Sequence, residues 1–211
     1  MRVLLISLGI LSVLFAGCQC PRQCAETSQR QKWISLFDGK SLNGWKASEN
    51  TKSFRVEDGK IVADGGRSHL FYTGHVNNAA FTNFEFKADV MTMPGANAGL
   101  YFHTAFQESG WPGRGLEVQV NNSYKSDPRK TGSLYGLQDV LVTPIEDNKW
   151  FTEHIIVEGK HVTVKVNGVT LVDYTEPDDA ARKISGGTFA LQCHDPKSKV
   201  YFKNIMVRPL N

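Results

Sequence analysis

The sequence predicts an all-β protein, a two-sheet antiparallel sandwich of the jelly-roll kind. Three observations carry that prediction. Short runs rich in Val, Ile, Phe and Tyr recur from Trp33 to the C-terminus and alternate with polar residues at a period of two. Tight-turn dipeptides punctuate these runs, at Asp58-Gly59, Glu158-Gly159 and Asn167-Gly168. No segment sustains an amphipathic helical period, and "PDDAARKIS" from Pro177 offers one helical turn or two at most.

Taken in order, the chain begins with residues 1–17, "MRVLLISLGILSVLFAG", one early positive charge followed by an apolar run from Val3 to Ala16. That run is shorter than the ~20 residues a membrane span needs and has the layout of a signal peptide. Its end, "FAGC", resembles the bacterial lipobox, which makes Cys18 the predicted lipidated N-terminus. The expected location is therefore the cell envelope, as a lipoprotein facing periplasm or exterior, with the membrane a partner only through the anchor. Residues 18–32, "CQCPRQCAETSQRQK", are polar and lack an apolar period, so they read as a tether. Cys20 and Cys24 within it are placed either to close a small disulfide or to bind metal; no His or second cysteine pair lies nearby to complete a zinc site.

Residues 33–211 form the predicted domain. "FRVEDGKIVADGG" is a hairpin around Asp58-Gly59, and "HIIVEGKHVTVKVNGVTLVDY" is a three-stranded meander. "FTNFEFKADVMTM", "AGLYFHT", "LEVQV", "TFALQCH" and "VYFKNIMVRPL" supply the remaining strands. Cys193, inside an apolar alternation, is expected to be a buried small hydrophobe. The net charge of +3 comes from 24 basic and 21 acidic residues that are interspersed, a balance that gives no nucleic-acid partner.

The candidate site starts at "LEVQV". Leu116, Val118 and Val120 alternate with Glu117 and Gln119, which share one face about 7 Å apart. The same period puts Tyr101 with His103 on one face of "AGLYFHT", and Gln192 with His194 on one face of "TFALQCH". Trp111, in "SGWPGRG", is an aromatic plane suited to the apolar side of a sugar ring. Such rows on the concave side of a curved sheet make a binding floor; a polar alternate face is equally what a half-exposed antiparallel strand shows to water. His69, His75, His154 and His161 lack such company and are taken as surface or core residues.

"WISLFDGKSLNGW", "FRVEDGKIVADGG", "GANAGLYFHT", "GLEVQV", "TGSLYG", "VNGVTLVDY" and "LQCHDPKSKVYFKNIMVRPL" together resemble, in the same order, the bacterial 3-keto-disaccharide hydrolase domain family, over Trp33 to Leu210. The resemblance implies a concanavalin A-like lectin/glucanase sandwich in a secreted lipoprotein acting on carbohydrate. It adds Asn97 to the substrate-binding set, although "NAG" stands here where members usually have "NSG". The chain also departs at His103, where an arginine-bearing strand is usual, at Asn122 in place of an aspartate, and at Phe151 after Trp150.

An ordinary glycosidase needs two carboxyl groups flanking the bond. "LEVQV" offers one, with Asp139, Glu108 and Asp195 left as donors from loops. A 3-keto sugar asks for less, because the ketone acidifies the C2 proton: one base, one group to stabilise the enolate, and a proton for the leaving group. Glu117 or His194 is the expected base and His103 the acid or enolate stabiliser, with Gln119, Tyr101, Trp111, Gln192 and Asn97 holding the sugar. A divalent metal bridging the ketone and a hydroxyl would serve as electrophile, and His103, Glu117 and His194 are competent ligands for it. The resulting function is a lipid-anchored enzyme that cleaves 3-keto-glycosides, as hydrolase or lyase; the alternative is a non-catalytic carbohydrate-binding module. The chain lacks a Gly-rich dinucleotide fingerprint, so a separate sugar 3-oxidoreductase must supply the substrate.

Overall fold

The structure, a computed structural model, describes residues 32–180 and 185–210. The predicted signal peptide, Cys18, Cys20 and Cys24 lie outside the described residues, as do residues 181–184 of the "PDDAARKIS" segment.

Thirteen strands are described: β1 (Ile34–Ser35), β2 (Trp45–Ala47), β3 (Phe54–Glu57), β4 (Lys60–Asp64), β5 (Ser68–Tyr72), β6 (Phe84–Thr92), β7 (Ala98–Thr104), β8 (Leu116–Val120), β9 (Phe151–Glu158), β10 (His161–Val166), β11 (Val169–Thr175), β12 (Thr188–Cys193) and β13 (Lys199–Pro209). They make two antiparallel sheets. One runs β11-β10-β9-β6-β13-β4-β3, with β1 also paired to β13; the other runs β2-β5-β12-β7-β8. Short β1, β2 and β5 carry too little alternation to be singled out from sequence.

The first sheet follows its binary pattern. In β6, Phe84, Phe86, Ala88 and Val90 point into the core while Lys87 and Asp89 between them are partly exposed. Phe84 and Phe86 meet Phe189 of β12, at ring-centroid distances of 4.9 and 4.3 Å, which ties the two sheets together. The β3–β4 hairpin closes as expected, with Glu57 opposite Lys60 and positive φ at Asp58 and Gly59. In the β9–β10 turn, Glu158 pairs with His161, so the turn residues are Gly159 and Lys160, one position later than the sequence suggests. Gly159 takes the positive φ there because it alone bears no Cβ.

The second sheet behaves differently: β5, β7, β8 and β12 are buried along their whole length. Leu100, Val118 and Leu191 face the main core, whereas Phe71, Tyr101 and Ala190 form a separate cluster with Phe106 on the opposite face. That opposite face is covered by the chain between strands rather than by the other sheet.

Candidate active site

Register places the polar residues. Across the second sheet, Phe71, Ala190, Tyr101 and Glu117 stand in one cross-strand row. His69 pairs with Gln192, and Gln119 pairs with Gly99, in the next row. The row is no solvated sheet face, since Glu117 is 9% exposed, Gln192 2% and Gln119 1%. Asn97, Tyr101, Trp111, Glu117, Gln119, Gln192 and His194 all line a single cavity of about 270 Å³. That is slightly below the ~300–1,000 Å³ usual for small-molecule sites.

Gly99 makes the central feature possible. A Cβ there would overlap Glu117 Oε1 and sit 2.9 Å from its Cγ, so the glutamate side chain lies over the bare glycine. In that position Glu117 Oε2 accepts a hydrogen bond from the Tyr101 hydroxyl at 2.7 Å, and Oε1 accepts one from Gln192 Nε2 at 3.0 Å. Gln119 Nε2 donates to Asn97 Oδ1 at 3.1 Å, fixing both amides. Oε1 of Gln192 and both ring nitrogens of His69 are buried without a protein partner.

His194 follows the last residue of β12, and its Nδ1 is 2.7 Å from Asp195 Oδ2. Asp195 is held in turn by the Lys197 N–H and the Ser198 hydroxyl. Burial acts to raise the Asp195 pKa, but these donors, with His194 foremost, outweigh it and keep the carboxyl below its usual range. In the neutral imidazole, a proton on Nδ1 shared with Asp195 leaves Nε2 as the acceptor. Its ring packs against Trp111 and Tyr124, with centroids 5.2 and 5.6 Å away.

Loops complete the cavity. Asn121 is buried and folds the loop after β8, its Nδ2 donating to the carbonyls of Asp127 and Arg129. Residues 130–135 then run beside β8, where Gly132 N–H donates to Gln119 O and Tyr135 N–H to Glu117 O. Asp127 and Tyr135 are thereby delivered to the cavity wall. Asp127 is a second carboxylate beside Glu117 that periodicity does not reveal, because it lies in a loop. Its Oδ1 already accepts from the Arg129 N–H at 2.9 Å, and burial followed by Asp127 raises the Tyr135 pKa. Of the three loop carboxylates expected from sequence, Asp195 holds His194, Asp139 pairs with Arg129, and Glu108 lies near Lys46 at the surface.

His103 corrects the expectation. A bulge interrupts the β7–β12 register between Thr188 and Ala190, and His103 has φ of 53°, so its side chain leaves the face of Tyr101. Its Nε2 lies 2.9 Å from Thr82 O, Nδ1 accepts from the Ser185 N–H at 3.3 Å, and its ring abuts Phe84. Burial lowers its pKa against the raising effect of the Thr82 carbonyl. The bulge is accommodated from both sides: a Cβ on Gly115 would overlap Phe102 O, and one on Gly187 would overlap Thr104 O. A period-two count fails at such a point, and the glycines flanking it in space are far apart in sequence. The His103, Glu117 and His194 set proposed to share a metal is therefore not assembled. Among the described residues, no group of three or more His, Cys, Asp or Glu gathers as a ligand cluster. Cys193 is buried and unpaired, with burial raising its thiol to about 11.

His69 is the converse case. It lies on the site face, fully buried, with its ring against Tyr101 at 5.3 Å and beneath Trp111 at 5.6 Å. Burial pushes its pKa down to about 4. The Trp111 loop itself is fastened by Gln107, whose side chain bonds Ser109 O, Trp111 O and the Gly113 N–H, and by Glu49, which accepts from the Gly110 N–H.

The sequence profile of the 3-keto-alpha-glucoside-1,2-lyase-like domain matches residues 32–208. No curated protein matches the chain. A candidate glycosyl hydrolase from Parabacteroides distasonis is 25% identical, with a TM-score of 0.71 over 85% of this chain and 94% of that one. A second from the same organism is 22% identical, with a TM-score of 0.65 over 85% and 100%. The carbohydrate-binding module CBM66 from Bacillus subtilis is 15% identical, with a TM-score of 0.56 over 78% and 95%, a likeness of fold alone. These neighbours agree with the two-sheet, lectin-like sandwich described above.

Proposed function

Because the chain belongs to the 3-keto-alpha-glucoside-1,2-lyase-like domain family, we propose that it cleaves the glycosidic bond of 3-keto sugars by β-elimination, with later addition of water giving net hydrolysis. The observation that carries this reading is the pairing, in one cavity, of a held imidazole, His194, with a carboxylate, Glu117, whose oxygens are both engaged by neighbours. A second carboxylate, Asp127, lines the same cavity, with its Oδ1 accepting from the Arg129 N–H.

In the proposed reaction His194 Nε2 takes the C2 proton of the substrate, and Asp195 orients the ring and stabilises the imidazolium that forms. The C–H electron pair becomes the enolate of the C3 ketone, and the Asn97 amide donates to that oxygen. Collapse of the enolate forms the C1=C2 bond and breaks the C1–O bond, and the departing oxygen takes the proton of the Tyr101 hydroxyl. Glu117 positions Tyr101 and accepts from the sugar hydroxyls, while Trp111 covers the ring. Addition of water across C1=C2 completes hydrolysis: its oxygen bonds to C1, His194 returns its proton to C2, and the proton released by the water restores the Tyr101 hydroxyl.

The test is turnover of a 3-keto glucoside, followed by release of the leaving alcohol. His194→Ala should lower kcat by ~10²–10⁴, the usual contribution of a positioned base. Glu117→Gln should lower it as well, and unchanged rates in both variants would overturn the assignment. Binding without release in the wild-type protein would instead favour a lectin-like module. We place the enzyme in the cell envelope, tethered by lipid on Cys18 and fed by a separate sugar 3-oxidoreductase; the lipobox-like "FAGC" supports the tether, and Cys18→Ala should release the protein from the membrane fraction.

A further inference from the structure

His69 and Gln192 are register partners on the central strands of the site sheet, and each carries buried polar atoms that no protein group satisfies. Gln192 Nε2 is spent on Glu117 Oε1 and on the Tyr101 hydroxyl, which leaves Oε1 as an acceptor with nothing to accept. His69 has neither ring nitrogen bonded, although its ring is fully buried between Tyr101 and Trp111. A buried acceptor beside a buried imidazole is unusual in a folded protein, where nearly all such atoms find partners. A hydroxyl is the group that suits both at once, because it donates to a carbonyl oxygen and exchanges a second hydrogen bond with either tautomer of an imidazole.

Gln192 already lines the cavity, and Trp111 lies against His69. The indole touches His69 on one side and His194 on the other, and Arg67 stacks on it at 5.1 Å. It is nevertheless 46% exposed, and its loop is held mainly through Gln107 and Glu49. Lifting one exposed side chain would therefore open His69 to the cavity that Gln192, Trp111 and His194 already line.

We infer that His69 and Gln192 Oε1 form a hydroxyl-binding subsite under Trp111, which seats one hydroxyl of the pyranose whose ring the indole then covers. This deepens the proposed function and rests on the same cavity, but it concerns recognition rather than bond cleavage. His69 is accordingly a specificity-determining residue and takes no part in proton transfer.

The experiment is a cycle in which protein and ligand are both altered. Methyl 3-keto-α-glucopyranoside and its monodeoxy analogues are titrated calorimetrically into the wild-type protein and into His69→Phe, with His69→Leu as the second variant if the first does not fold. Loss of His69 should weaken the parent sugar about tenfold, the equivalent of ~1.4 kcal/mol and of one hydrogen bond. One deoxy analogue should bind the wild type about tenfold more weakly and lose nothing further in the variant. His69→Phe should also melt at a higher temperature, since it removes unpaired buried nitrogens. If every analogue loses the same factor in the variant as the parent does, or if the variant binds the parent normally, the subsite is refuted even where turnover persists. If the sugar binds and the cycle closes as expected but no alcohol is released, the subsite stands and the proposed reaction falls. If the wild type binds none of these sugars, both fall together.

Discussion

Substituting Gly99 by alanine adds one methyl group at the point where the candidate site is most tightly built. The backbone permits it, because Gly99 is not among the residues with positive φ. The new Cβ would overlap Glu117 Oε1 and lie 2.9 Å from Cγ and 3.0 Å from Cδ, all of them atoms of one movable side chain. The carboxylate must therefore swing away, breaking its bonds from Tyr101 at 2.7 Å and Gln192 at 3.0 Å. Hydrogen bonds to a charged group contribute about 1.5–3 kcal/mol each, so losing two removes at least ~3 kcal/mol of organisation from the site. If the transition state uses that organisation, kcat/KM for a 3-keto glucoside falls about 10²-fold. Stability should fall as well, because alanine restricts the unfolded chain by only about 0.4–1 kcal/mol in favour of the fold and so offsets only part of that loss. Steady-state turnover and thermal unfolding of Gly99→Ala, Glu117→Ala and the double variant separate these effects. In the double variant the methyl group fits, so its melting temperature should match or exceed that of Glu117→Ala alone. Wild-type kcat/KM in Gly99→Ala would refute the claim that the bare glycine aims the carboxylate.

Two further outcomes follow from the same structure. Glu153 is buried in the inward row of β9 with Oε2 unpartnered, and burial, against the bond from Gly132 N–H, raises its pKa well above 4.5. The folded state therefore keeps a proton that the unfolded chain gives up near pH 4.5, and stability falls by up to ~1.4 kcal/mol per pH unit from there to the folded pKa. Urea unfolding from pH 4 to 8 should show this slope in the wild type and lose it in Glu153→Gln; identical slopes would contradict it. His103→Gln should lower the melting temperature by removing a ring packed on Phe84, yet leave kcat unchanged in the folded fraction, whereas a loss of kcat would return His103 to the site.

How far the sequence was legible depended on whether periodicity held locally. Glu117 and Gln119, Gln192 and His194 fall in uninterrupted alternations, and Tyr101 precedes the break in its own strand, so a count of two assigns each to a face. The count then fails within "AGLYFHT", because the backbone turns out of phase at His103, where Gly115 and Gly187 leave room for a close approach that a Cβ would block. Those glycines lie more than ten and more than eighty positions away and leave no local trace. Asp127 and Tyr135 are placed by the Asn121 side chain and by backbone pairing beside β8, information carried by a loop's hydrogen bonds and not by its composition. His69 escaped for a simpler reason: "SHLFY" is short and apolar, and a single histidine in it looks like any core residue until its partner strand is known.

The central position of β12 has a consequence for the order in which this molecule can be made. Residues 188–193 fill the slot between β5 and β7, strands that leave the ribosome long before them. Until they arrive, both neighbours present open edges of unpaired N–H and C=O groups, the feature through which β-proteins stick to one another. Of the five strands of this sheet β12 is made last, and its arrival closes the sheet and carries Gln192 and His194 into place. A chain halted before residue 188 should accordingly be both inactive and prone to aggregate, and the appearance of sugar-cleaving activity should report completion of the whole sandwich and not of any part of it.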